Sequence, residues 1–369
     1  MTLCPTIRRA KPGYRARVAA MAPRERRALA VVAGCAAFLV LSLFLALGIG
    51  AVPIPPDVVG RLILDALGAD LTWETETRDT LVFWSIRVPR VVAGCLVGAS
   101  LALAGATMQG IFRNPLADPA LIGVSSGAAL AAVAVIVVGG GVLGTLPPEA
   151  RAFALPVAAL SGGLTATLIV YRLGSVGGQV MAATTLLAGV AITAIAQAGI
   201  GFLVFLSDEQ ELRDLSFWTL GSVAGLNWSL LLPAAVLMAV PIVLLPRLAG
   251  ALNAMLLGER ESFHLGHDPQ RVKRLAIGLS AIAVGGAVSI SGVIGFVGLV
   301  VPHIVRLLAG PDHRWLLPGT ALLGAGLFLL ADLLARMIVL PAELPIGVVT
   351  ALVGGPFFIW LLVRRRDWG

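Results

Sequence analysis

The chain has 369 residues, 58% of them hydrophobic and only 13% charged, whereas a soluble domain carries about 25% charged residues. That excludes an ordinary water-soluble globule and points to an all-α polytopic membrane protein, because each spanning helix needs about 20 mostly apolar residues. The net charge of +7 is nearly all arginine, Lys11 and Lys273 being the only lysines, and its spread reads as a topology signal rather than a nucleic-acid surface.

Residues 1–27 form a basic tail. The apolar run from about Ala28 to Gly50 exceeds the roughly 7–15 residues of a signal-peptide core, so it reads as a retained first span. Nine more spans follow, near 87–108, 119–138, 152–171, 182–206, 229–247, 274–291, 293–309, 316–335 and 345–363. Residues 28–366 then make one transmembrane domain, with an outer loop at 51–84 that carries a short surface helix and an inner loop at 251–273. With the N-terminus inside, the inner segments hold 20 of the 27 basic residues, so positive-inside bias selects an even span count with both termini cytoplasmic. All seven tryptophans fall in loops or near span ends, as an aromatic belt requires.

The Arg113–Pro119 stretch (RNPLADP) ends the second span with two prolines, and the small residues of Leu121–Ala128 follow. Non-helical backbone at membrane depth lines a cavity or is buried in protein, so the block reads either as part of a pathway or as a tight turn before a packing face. Arg87 and Arg90 share one face at the outer end of span two, and Arg336 sits at the outer end of span nine. Arginines there either pair with carboxylates of a partner or snorkel to headgroups. Asp332, inside span nine, is open to an ion pair with Arg336 four residues on or to a proton relay. Glu343 follows in a proline-flanked turn. His264, His267, His303 and His313 all fall towards the inner side, none at metal spacing within a span, which favours helix-end or interface roles. Cys4, Cys35 and Cys95 make no pairing or metal pattern.

The polar island Ala251–Arg274 stands apart from these apolar runs. Leu252, Met255, Leu256 and Phe263 recur at helical spacing, predicting one amphipathic helix over Leu252–Leu265 that Gly266 stops. Asp268-Pro269 then predicts an N-cap with proline at the first helical position. A phosphate-binding Walker loop needs Gly-Lys before Ser or Thr, and neither lysine follows a glycine. The chain is therefore expected not to be an enzyme and to bind no cofactor; if ATP drives it, ATP and Mg sit on another protein that pushes on this island.

Five stretches in this order resemble the permease subunits of the FecCD family of ABC importers, the type II group that takes up ferric siderophores, cobalamin and haem. They are Arg87–Arg90 (RVPR), Arg113–Ala128, Phe217–Ser222 (FWTLGS), Gly295–His303 (GFVGLVVPH) and Glu343–Val349 (ELPIGVV), and the likeness runs from about Phe38 to Arg366. The resemblance implies a bacterial inner-membrane homodimer of ten-span subunits with the pathway between them. It implies two cytoplasmic ATPase subunits on the loop matching Ala251–Lys273, with Leu252, Met255, Leu256, Glu259, Arg260, Phe263 and His267 as candidate coupling residues. It also implies a periplasmic substrate-binding protein whose glutamates meet Arg87, Arg90 and Arg336. The cytoplasmic gate falls at Asn114 and Leu116, with Ala182, Ala183 and Thr184 at the start of span five. Leu206–Trp218 is similar to the haem-importing branch, so haem leads, ahead of a ferric siderophore or cobalamin. The rival of another class is an ion-coupled secondary transporter working through Asp332.

Overall fold

The computed structural model describes residues 22–69, 76–140 and 144–366. The basic tail up to residue 21, Asp70, Trp73, Glu74 and Trp368 lie outside them.

Helix α1 (Pro23–Gly48) starts on a proline, whose missing N–H is an orphan of the first turn anyway. The loop at 51–84 holds the expected short helix, α2 (Pro56–Ala66), and then α3 (Thr77–Val82). A single π-turn, Phe83–Arg87, joins α3 to α4 (Val88–Ile111), so the second span begins earlier in the chain than expected. The third span begins as a 3₁₀ turn, Pro119–Ile122; Gly123 then takes a left-handed conformation (φ 80°) and α5 (Val124–Val138) follows. Helix α6 (Pro148–Leu173) runs to a small hairpin that periodicity gave no hint of, β1 (Ser175–Val176) and β2 (Gln179–Val180). Gly177 and Gly178 both have positive φ, as a two-residue turn between twisted strands demands.

Helix α7 (Ala182–Leu206) comes next, and then α8 (Glu209–Leu220), which Asp208 and Glu211 close with a reciprocal capping box. Helix α9 (Trp228–Leu244) leads through a 3₁₀ turn into the polar island. There the predicted single helix is corrected. Gly258, at φ 133°, splits it into α10 (Ala249–Leu257) and α11 (Glu259–His264), and a Cβ at that position would meet the Glu261 carboxylate. The predicted stop and restart are present: Gly266 has φ 87°, and the Asp268 carboxylate accepts from the N–H groups of Gln270 and Arg271 at the head of α12 (Pro269–Ser291). Helix α13 (Val297–Ala309) is shorter than the run predicting it, because residues 292–296 are non-helical and Phe296 sits at φ 68°. Helices α14 (His313–Met337) and α15 (Ile346–Arg366) complete the chain.

Among the described residues seven helices are long and apolar enough to cross a membrane; α5, α13 and α15 are shorter apolar helices. Helix α4 is the axis. In its most apolar window 83% of residues are buried, against 17% for α1 and for α7, so the latter two present their side chains outward. The axis is built for close approach: a methyl at Gly98 would sit on the Gly324 carbonyl of α14, and a methyl at Gly324 would sit on that of Gly98.

Element ends sort into two layers. The head of α1, the end of α4, the hairpin, α10–α11 and Asp312 share one end of the bundle, as shown by pairs such as Arg314–Glu25 and Asn253–Asp312. Ile49, Arg87, Glu343 and the Trp228 indole bonded to the Trp84 carbonyl share the other.

Candidate functional site

At the second end, helices from distant parts of the chain bring three arginines and two carboxylates together. The Arg87 guanidinium donates to the carbonyls of Ile49 at 2.6 Å and Val52 at 2.9 Å, in the loop leaving α1. Arg90, in the first turn of α4, donates through Nη2 to Asp332 at 2.8 Å and holds both oxygens of Glu343 at 2.9–3.0 Å. The ion pair expected between Asp332 and Arg336 forms at 3.2 Å. Arg336 also reaches the Ala46 carbonyl at 3.4 Å. Asp332 is 2% exposed and Arg87, Arg90 and Arg336 are all buried, so none stands as a free cation on the surface. Only the Glu343 side chain, 39% exposed, opens the cluster outward. Burial here is tolerable because each charge meets opposite charge or carbonyl dipoles. Spacing predicted Asp332–Arg336; Arg90, 242 residues from Asp332, had no sequence signal linking it.

In mid-bundle the two non-helical stretches meet. Asp118 and Pro119 of one, with Ser125 in the first turn of α5, and Ile294, Gly295 and Phe296 of the other line a cavity of about 150 Å³. Polar backbone of both stretches thus faces a cavity or protein. Asn114 Oδ1 accepts from the Leu116 N–H at 2.9 Å, and the Leu116 side chain is exposed. Ala182, Ala183 and Thr184 form the first turn of α7, a separate element. That helix meets the broken segment through Gly189, where a Cβ would strike the Leu121 carbonyl, and through a Ser126–Thr193 hydroxyl pair at 3.2 Å.

The polar island divides its candidate residues. Leu252 and Met255 are fully buried in the chain's own core, a correction to their place among residues that touch a partner. Their α10 face packs on α4 and α14. Leu256, Leu257, Phe263 and Leu265 are exposed, from 44% to 67%, along one polar segment. Arg260 is exposed as well and His267 half-exposed. Glu259 turns inward to Lys273 at 2.7 Å. Next to the island, Asp312 caps α14 and accepts from Asn253 at 2.6 Å; hydrogen bonds from Arg314 hold its carboxyl down at about 2.

Of the histidines, His313 is buried with Nδ1 on Asn253 Oδ1 at 2.9 Å, and His303 is buried with its ring edge-on to Phe357. His264 is exposed on α11. Among the described residues no three His, Cys, Asp or Glu side chains group as a metal site.

The match to the model of the FecCD transport family covers residues 38–364. The hemin transport system permease protein HmuU of Yersinia pestis is 46% identical over 297 residues, 80% of this chain and 87% of that protein. The cobalamin import system permease protein BtuC of Halobacterium salinarum is 40% identical, covering 84% of this chain and 82% of its own length. The Escherichia coli vitamin B12 import permease BtuC is 42% identical over 78% of this chain and 86% of its own. A solved structure described as an inward-facing conformation of a metal-chelate type ABC transporter superposes with TM-score 0.77 at 32% identity, over 90% of this chain and 99% of that one. Helices long and apolar enough to cross a membrane, and apolar side chains exposed on a polar end loop, agree with these likenesses: the chain belongs to the FecCD transport family and is a multi-pass ABC importer permease of the bacterial inner membrane.

Proposed function

We propose that the chain is the haem-carrying permease of an ATP-driven importer, working as a homodimer of ten-crossing subunits with both termini in the cytoplasm. The observation that carries the machinery is the set of four apolar side chains, Leu256, Leu257, Phe263 and Leu265, exposed on the polar island at the end of the bundle with the denser positive charge. Exposed apolar side chains rimmed by polar residues mark a protein contact, and the family implies ATPase subunits to make it. Binding of ATP would draw those subunits together, and α10–α11 would follow, shifting the dimer between outward- and inward-open populations. Haem as cargo is favoured by the likeness to the hemin permease and by the Leu206–Trp218 segment.

At the outer end, a binding protein would reach the arginine cluster through Glu343, its acidic groups exchanging with Glu343 for Arg90 while Arg87 and Arg336 supply field from beneath. Asn114, Leu116 and Ala182–Thr184 are proposed as the cytoplasmic gate of the pathway between subunits.

Co-reconstitution with the ATPase and binding protein, offering haem, a ferric siderophore and cobalamin in turn, tests this. ATP-dependent haem uptake is expected. Uptake of only cobalamin or siderophore overturns the cargo, and uptake by the chain alone on an ion gradient overturns the machinery. Phe263→Asp is expected to weaken ATPase co-purification about tenfold or more, the scale of losing one buried interface anchor. Unchanged co-purification would remove Phe263 from the interface.

A further inference from the structure

Where the polar island meets the start of α7, four polar groups close into a ring. Lys273, in the first turns of α12, is 3% exposed and donates from Nζ to Glu259 at 2.7 Å and to the Val180 carbonyl at 2.9 Å. Gln270, three residues earlier and so on the same helix face, accepts the Val180 N–H at 2.8 Å and donates to the other oxygen of Glu259 at 3.4 Å. Both backbone groups of Val180 are thereby held by α12, and both holding side chains are held by the first residue of α11. Val180 is buried and lies two residues before α7. The hairpin keeps the link short, because Met181 N–H bonds back to the Gly174 carbonyl at 3.0 Å and Thr185 Oγ1 to the Met181 carbonyl at 2.8 Å.

We propose that Lys273 and Gln270 are positioning residues that form a latch, carrying displacement of α11 to the first turn of α7 by a route separate from helix packing. The inference rests on the ATPase-docking reading of α11. Three features distinguish the latch from an ordinary structural tie. A lone lysine buried among apolar helices is costly to desolvate, and an apolar residue of that length would fill the space at less cost. The ring also ties α11 to β2 through α12, the one helix on which all four of its hydrogen bonds meet. And Glu259, with a 39% exposed side chain, can move with α11 without leaving water. Two elements bonded to one fulcrum by directional hydrogen bonds either move together or break the ring.

The test uses the full complex in vesicles, offered haem, a ferric siderophore and cobalamin, and reads uptake of the cargo that the wild type carries per ATP hydrolysed. Lys273→Met removes one arm and leaves Glu259 able to reach water; Gln270→Leu removes the other, so that one variant still reports if its companion fails to assemble. Arg172→Gln, exposed at the end of α6 and outside the docking loop, is the control. With ATPase co-purification and hydrolysis rates retained, uptake per ATP is expected to fall about tenfold in each arm variant, within the usual range of coupling energies, and to stay unchanged in the control. An unchanged ratio overturns the latch. So does a parallel fall of uptake and hydrolysis, the signature of a damaged scaffold. A wild-type complex without ATP-dependent uptake would sink the docking reading itself, and the latch with it.

Discussion

Asp332→Ala is expected to lower the stability of the purified chain by about 3–5 kcal/mol, the usual result of removing one partner from a buried ion cluster. Asp332 is the shared acceptor: it takes Arg90 at 2.8 Å and Arg336 at 3.2 Å while being 2% exposed. Without it Arg90 keeps Glu343, but Arg336 is left with one carbonyl at 3.4 Å. Arg90 and Arg336, both buried, then lose the carboxylate that stood between them. Glu343→Gln offers the contrast. Its side chain is 39% exposed, so water screens the lost pair and the expected change is below about 1 kcal/mol. Thermal unfolding in one detergent, with yield as a second readout, checks both. Equal effects from the two substitutions would mean that burial does not set the energetics of this cluster.

Gly105→Val is expected to be as damaging, at about 3 kcal/mol, the upper end of overpacking penalties. A Cβ at Gly105 would lie on the carbonyl of Gly298, with that residue's other backbone atoms behind it. Backbone cannot rotate aside as a side chain does. Helix α4 and the head of α13 would have to part, and the same shift would distort the cavity between Asp118 and Phe296, which Leu101 and Gly298 also line. Gly278→Ala is the matched control. It lies mid-helix in α12 with nothing within 4 Å of an added Cβ, so it should hold or gain about 0.5–1 kcal/mol from reduced chain freedom alone. A Gly105→Val protein that melts with the wild type would show that the crossing has slack.

The contrast between α10 and α11 shows where reading residues in order runs out. Leu252, Met255, Leu256 and Phe263 have the spacing of one amphipathic helix, and spacing cannot say which apolar face turns to the protein and which to a partner. Packing of α10 on α4 and α14 decides it for the residues before Gly258, and the break there, at φ 133°, frees α11 from that register. Leu252 and Met255 then turn into the core while Leu257 and Phe263 stay out. Glu259 was legible as a polar residue of the island, but not as one side of an ion pair with a buried lysine.

By itself the sequence determined the class of molecule, the approximate place of each apolar run, the caps at Asp268 and Gly266 and the family. Those depend on composition, hydrophobic length and local backbone chemistry, all properties of neighbours along the chain. Only the tertiary structure decided which charges meet. Arg90 with Asp332, and Lys273 with Val180, lie 242 and 93 residues apart, and long-range pairing in a bundle is set by which helix faces pack together. That packing rests on glycine contacts such as Gly98 on Gly324 and Gly105 on Gly298, whose closeness appears only when both backbones are in place.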